Sequence, residues 1–351
     1  RIKLDTQSDK AGAAAIYDEL LSLEPDNQDA LRFRGDYLYD AGDVGGAAAL
    51  FTRLEPSELA VDRDDFDAQI EGAMFFYRFG EALRRSGDSA SAIGRYQRAL
   101  SFNPNHLPTL EAIAPLHMAA KQWPEAEKVL KLIMPLVQGM GNNDALARAY
   151  ARLGVCEFHI GQVDRARKRL SKAIEMKPNE VEALKGLGLV MAAQQDWNNL
   201  LNIYNNVIYH THDPADVIES YLQKGLVLDV RLGMPDKAGQ HYEKSLAFEA
   251  NQPGALLRLA ELALRRQDWP EAAALVDRAM ALSPIKDEVK AGLLLVRAVA
   301  CQACGDAKAA GDGFAAAVEA DATWATEVPA GIEDYEKAAE RLRARIASGS
   351  L

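Results

Sequence analysis

Small and large apolar positions recur along this chain in a fixed order, at intervals of about 34 residues. One copy reads Gly80, Ala92, Tyr96, Ala99 and Pro104, and the order returns as Gly154, Ala166, Leu170, Ala173 and Pro178. The pattern predicts a stack of helix pairs. The small position of each first helix is Gly35, Gly80, Ala114, Gly154, Gly188, Gly225, Ala260 and Ala298. That of each second helix is Ala47, Ala92, Ala126, Ala166, Leu200, Ala238, Ala272 and Ala310. Antiparallel helices cross closely only where side chains are small, and larger residues then fill the space around the crossing. Phe51, Tyr96, Leu130, Leu170, Tyr204, Tyr242, Val276 and Phe314 are those larger residues, expected to plug the gap against the next pair. Ala238 and Tyr242 arrive one residue late, so their repeat carries an extra residue.

The predicted turns agree with the predicted helices. Gly42-Asp43, Gly87-Asp88 and Gly305-Asp306 fall between the two helices of a pair. Glycine can close the first helix in the left-handed conformation, and aspartate can cap the second. Asp196-Trp197, Asp268-Trp269 and Gln122-Trp123 occupy the same place, each indole expected to cover the turn. Pro25, Pro104, Pro178 and Pro284 each follow a second helix and stop it. Near the end, Ile332, Tyr335, Ala339, Leu342 and Ile346 share one face of a predicted helix over 332–347. Such a helix would cap the stack, docking one face and wetting the other.

These residues resemble the tetratricopeptide repeat (TPR) family, over the chain up to about residue 322. The resemblance implies an all-α fold, a right-handed superhelical α-solenoid of helix-turn-helix pairs with a C-terminal capping helix. The expected domains are a half repeat over 1–29, eight repeats over 30–322, and the cap over 332–347. The half repeat carries Ala13 and Tyr17, and its first helix would lie before Arg1, so the natural chain is expected to continue upstream. Two departures weaken single repeats: Leu200 at a small position, and Glu157 where an aromatic is expected. The longest insertion holds Glu55, Glu58, Asp62, Asp64, Asp65 and Asp67 without the glycine and terminal glutamate of a calcium loop. A second, Gln138 to Asn143, reads as a flexible turn.

Composition narrows the function. The net charge of −11 argues against nucleic acid or an anionic membrane as the main partner. No apolar run approaches the roughly 18–20 residues of a membrane-spanning helix, and a cytoplasmic location is favoured. Three cysteines give no disulfide framework, and the Cys301-x-x-Cys304 pair reads as helix packing. Zinc would need further ligands that are not nearby in sequence. No phosphate loop, nucleophile elbow or metalloprotease motif accompanies the scattered histidines, so the chain reads as a non-enzyme without cofactor or metal.

By resemblance, the first helices line a concave groove that captures a protein partner. Its N-terminal candidates are polar and aromatic: Arg32, Tyr39, Tyr77, Arg84 and Arg85. Further along they turn apolar: Met118, Phe158, Leu189, Leu226, Leu257 and Leu264. Neighbouring repeats could bury these apolar residues, or a partner's helix or peptide could. The Lys and Asn clamp by which some TPR domains grip a terminal carboxylate is not matched. The leading expectation is an interaction scaffold. The alternatives are a bacterial polarity, motility or pilus-assembly adaptor recruiting a small GTPase, and a self-assembling array joined through the N-terminal half repeat.

Overall fold

The computed structural model describes residues 10–54, 66–282 and 285–322. Every regular element among them is helical, and none of these helices is long and apolar enough to cross a membrane. The chain divides into two compact units, residues 1–177 and 178–351.

In the first unit, α1 (Lys10–Leu23) precedes four pairs: α2 (Gln28–Ala41) with α3 (Val44–Leu54), α4 (Phe66–Arg85) with α5 (Ser89–Phe102), α6 (Leu107–Ala119) with α7 (Trp123–Gly139), and α8 (Asn143–His159) with α9 (Val163–Met176). The second unit holds four more: α10 (Val181–Ala193) with α11 (Trp197–His210), α12 (Pro214–Leu226) with α13 (Pro235–Phe248), α14 (Pro253–Arg265) with α15 (Trp269–Met280), and α16 (Asp287–Ala303) with α17 (Ala307–Ala320). The predicted capping helix, the acidic insertion over 55–65 and Pro284 lie outside the described residues.

The small positions have a direct steric cause. A Cβ added to Gly35 would stand 2.5 Å from Phe51 Cε1, one on Gly80 2.6 Å from Tyr96 Cε1, and one on Gly154 2.6 Å from Leu170 Cγ. Gly225 stands in the same relation to Tyr242. The large residue of the second helix therefore lies over the glycine of its own pair, and it also reaches the next pair as expected: Tyr96 clusters with Ile113 of α6, and Tyr242 with Ala255 and Leu259 of α14. Phe51 does both, since its ring also meets Phe75 at 5.4 Å and Phe79 at 5.8 Å on the following pair.

Within a pair, the turn runs through one left-handed residue. Gly42 (φ 87°) and Gly87 (φ 97°) fill that place where the sequence supplies glycine. Lys121, Gln195 and Gln267 fill it before the three tryptophans, at φ 56–59°. The aspartates cap as predicted: Asp88 accepts from the Ser91 amide at 3.0 Å, Asp268 from Glu271 at 3.1 Å and Asp306 from Ala309 at 3.0 Å. The turn expected over Gln138 to Asn143 is shorter, because α7 continues through Gly139.

The extra residue before Ala238 is absorbed inside a helix. α12 runs directly into a π-helical turn, Val227–Arg231, closed by the Leu232 amide on the Val227 carbonyl at 3.1 Å. Widening one turn in this way takes up a residue without breaking the helix. Its effect is to change which side chains follow Leu226 on that face.

Candidate partner-binding groove

In the first unit four of the predicted polar residues, Tyr39, Tyr77, Arg84 and Arg85, form one charged and aromatic cluster. Arg78 pairs with Asp36 at 2.7 Å, and both Arg78 and Arg85 lie over the Tyr39 ring, at 5.8 and 5.3 Å. Glu81 is the buried hub. It accepts two hydrogen bonds from Arg84 at 2.9 Å and one from the Tyr96 hydroxyl at 2.5 Å, with Arg85 at 3.4 Å. Burial opposes the Glu81 charge, but the Arg84 and Tyr96 hydrogen bonds outweigh it and hold the carboxyl below its ordinary range. Burial, followed by the bond to Glu81, raises the Tyr96 hydroxyl. Tyr77 packs against Tyr96 and against His106, 5.5 Å away. Arg32 reaches Glu71 at 3.5 Å. Arg84 and Arg85 are thus exposed and share one buried carboxylate.

The apolar candidates separate once their depth is known. Met118 and Phe158 are half-buried in the first unit, Met118 against the core of α6 to α8 and Phe158 edge-on to His159. Leu189 is 41% exposed on α10. Leu264 is only 6% exposed and is packed with α15 and α16 side chains, so it is core rather than groove wall.

The second unit contains an open cavity of about 630 Å³. Leu222 and Leu226 from α12, Val230 from the π turn and Leu257 from α14 form its apolar wall. Leu257 is 2% exposed, so it belongs to the core and to the cavity floor together. Trp197 and Tyr204 enter from α11. Burial, aided by the Glu219 charge, pushes the Tyr204 hydroxyl up to about 12. The volume falls in the range of ligand-holding clefts, roughly 300–1,000 Å³. Its lining is what recognition sites need: an apolar majority with a few placed polar groups.

A sequence pattern of the tetratricopeptide repeat family matches residues 4–65, 146–198 and 228–284. The chain belongs to this family. A solved tetratricopeptide repeat protein from Parabacteroides merdae shares the TPR fold: it is 17% identical, with a TM-score of 0.54, and the match covers 77% of this chain and 98% of that one. Among curated proteins, the chain is similar to the Protein CTR9 homolog of Arabidopsis thaliana, 24% identical over 111 residues, 32% of this chain and 10% of that protein. It is also similar to the type IV pilus assembly protein PilF of Pseudomonas aeruginosa, 24% identical over 168 residues, 38% of this chain and 66% of that protein. The chain thus spans a tenth of the first relative and just under two thirds of the second.

Within this TPR array the cavity holds three groups that the sequence reading did not assign to the groove. Trp197, read as a cover for its turn, lines the cavity and lies beneath the Arg231 guanidinium, 5.0 Å from the ring centroid. Trp123 differs, stacking on His159 at 4.0 Å, and Trp269 packs on the core of its own unit. Tyr204 and Arg231 were missed because one sits on a second helix and the other at the end of the π turn. The late arrival of Ala238 was the only available signal. No three His, Cys, Asp or Glu side chains among the described residues converge as a metal site requires, and all three cysteines are free thiols.

Proposed function

We propose that this chain is a non-catalytic interaction scaffold that takes an apolar segment of a partner protein into the cavity of its second unit. One observation carries the reading: an open cleft in a repeat fold, walled by Leu222, Leu226 and Val230, that the side chains of the described residues leave unfilled. Exposed contiguous apolar surface is uncommon on a chain with no partner. Leu189, the open apolar residue of α10, belongs to the same unit and is proposed to extend the contact. The first unit's Arg32, Tyr39, Tyr77, Arg84 and Arg85 are proposed as a second, polar contact for the same partner.

The test is selection of displayed random peptides of about a dozen residues on the full chain, followed by titration against Leu226→Glu. A charge placed in the apolar wall should cost roughly tenfold or more in affinity. Peptides that bind Leu226→Glu as tightly as the parent chain would remove the cavity from the reading.

The similarity to PilF supports a second, narrower reading, an adaptor in pilus or envelope assembly. Under it the partner could be a small GTPase, and capture that is equal in both nucleotide states would argue against that effector role. Self-association through α1 is supported by its open apolar residues, Ile16 at 46% and Leu23 at 76% exposure. Light scattering that shows a strict monomer at all concentrations would remove it.

A further inference from the structure

The cavity has a charge preference as well as an apolar wall. Three bases line it, Arg231, Arg258 and Lys286, against one acid, Glu219. Their states differ. Arg258 is buried and already committed to Glu261, at 3.0 Å. Glu219 accepts from the Gln223 amide at 2.7 Å. Arg231 and Lys286 are exposed, and among the described residues neither pairs with a carboxylate. Arg231 is held instead by the Trp197 face at 5.0 Å. A guanidinium stacked on an aromatic ring is placed and partly desolvated, yet its hydrogen-bond donors stay free.

The chain as a whole bears −11, yet this cleft is lined by more bases than acids. Two uncommitted cations beside an apolar cleft leave the cleft complementary to negative charge. The π turn supplies both halves of the feature, since it sets Val230 in the wall and Arg231 over Trp197. Without the additional residue, neither side chain would follow Leu226 in this register.

We infer that the cavity selects an acidic apolar segment: a bulky side chain of the partner fills the space between Leu222, Leu226 and Leu257, and flanking carboxylates meet Arg231 and Lys286. The inference rests on the scaffold reading above and makes it specific. The apolar wall supplies contact area, while the two cations supply orientation and discrimination against basic segments.

Two labelled peptide pools test it, each with a central Leu or Phe, one flanked by Asp and Glu and the other by Lys and Arg. Binding to the full chain is read by fluorescence anisotropy. The acidic pool should bind at least tenfold more tightly, and that preference should shrink in high salt. The double variant Arg231→Glu/Lys286→Glu should reverse the preference. Both sites are exposed, and an unchanged melting curve would show that the variant folds. Equal binding of the two pools, binding of neither, or a preference untouched by the double variant overturns the inference. Leu226→Glu separates the two claims. If it abolishes binding that is blind to peptide charge, the charge selection fails and the scaffold cavity stands. If binding survives it, the cavity reading itself fails. A concentration-dependent oligomer that dissociates on Arg231→Glu would assign the cleft to a second copy of the chain and also overturn the inference.

Discussion

At the scale of single residues, this molecule tolerates buried charge where the repeat pattern asks for an aromatic. Glu157 is almost fully buried on α8, and one of its carboxylate oxygens has no hydrogen-bond partner. Its nearest cation, Arg169, stands 3.7 Å away, and Glu127, itself paired with Lys131, adds like charge. Burial, only partly opposed by Arg169, raises the Glu157 carboxyl above its ordinary range. A carboxyl raised on folding binds its proton more tightly in the folded state. Its contribution to stability therefore falls as pH rises from the ordinary carboxylate range through the raised value. Glu157→Gln should remove that cost. The variant is expected to melt at a higher temperature than the parent at neutral pH, with the gap closing as pH falls through the ordinary carboxylate range. Arg169 is 39% exposed and lies 5.6 Å over the Tyr150 ring, so it keeps solvent and a contact after the change. A lower melting temperature for the variant at neutral pH would show that the ion pair outweighs the desolvation.

At the scale of elements, the turns carry the most economical test. Gln195 sits at φ 56° and is exposed, and its amide donates to the Ala192 carbonyl at 3.1 Å. A side-chain-bearing residue in the left-handed region costs about 1–2 kcal/mol, while glycine there loses roughly 0.5–1 kcal/mol of chain entropy. Gln195→Gly should accordingly stabilise by about 0.5 kcal/mol, measured by denaturant midpoint at constant slope, and Gly87→Gln should do the opposite. The same turns show what was legible beforehand. Gly42 and Gly87 announced their conformation, and Lys121, Gln195 and Gln267 did not, because the turn and the helix behind it impose it. Helix pairs were readable because Gly35, Gly80 and Gly154 each answer a steric demand that leaves a mark in sequence. Depth was not readable. Leu257 and Leu264 share a helix, yet only Leu257 reaches the cavity, since α15 and α16 cover Leu264. Likewise, a count showed one surplus residue before Ala238, but a count does not distinguish a longer loop from a widened helical turn. The groups that give the cleft its character, Trp197 and Arg231, depended on that distinction.

At the scale of the whole molecule, each helix packs chiefly on those beside it in sequence, so strain in one repeat should stay near that repeat. Gly80→Ala is a clean way to introduce it. The new methyl would stand 2.6 Å from Tyr96 Cε1, and the Tyr96 ring is not free to retreat, because its hydroxyl is bonded to buried Glu81. Overpacking of this kind costs about 1–3 kcal/mol. Hydrogen exchange should then report lost protection in α4 and α5 first, with smaller losses in α3 and α6. Protection in α14 to α17, which belong to the second unit, should hold. The cavity is lined entirely by second-unit residues, from Ala192 to Val289, so peptide affinity should also be unchanged in this variant. Uniform loss of protection would mean that the array unfolds as one cooperative body, and peptide affinity would then fall in step with stability. Local loss with intact binding would mean that strain in the first unit and the chemistry of the cleft are separable, as expected where stability is assembled from neighbouring pairs rather than from one shared core.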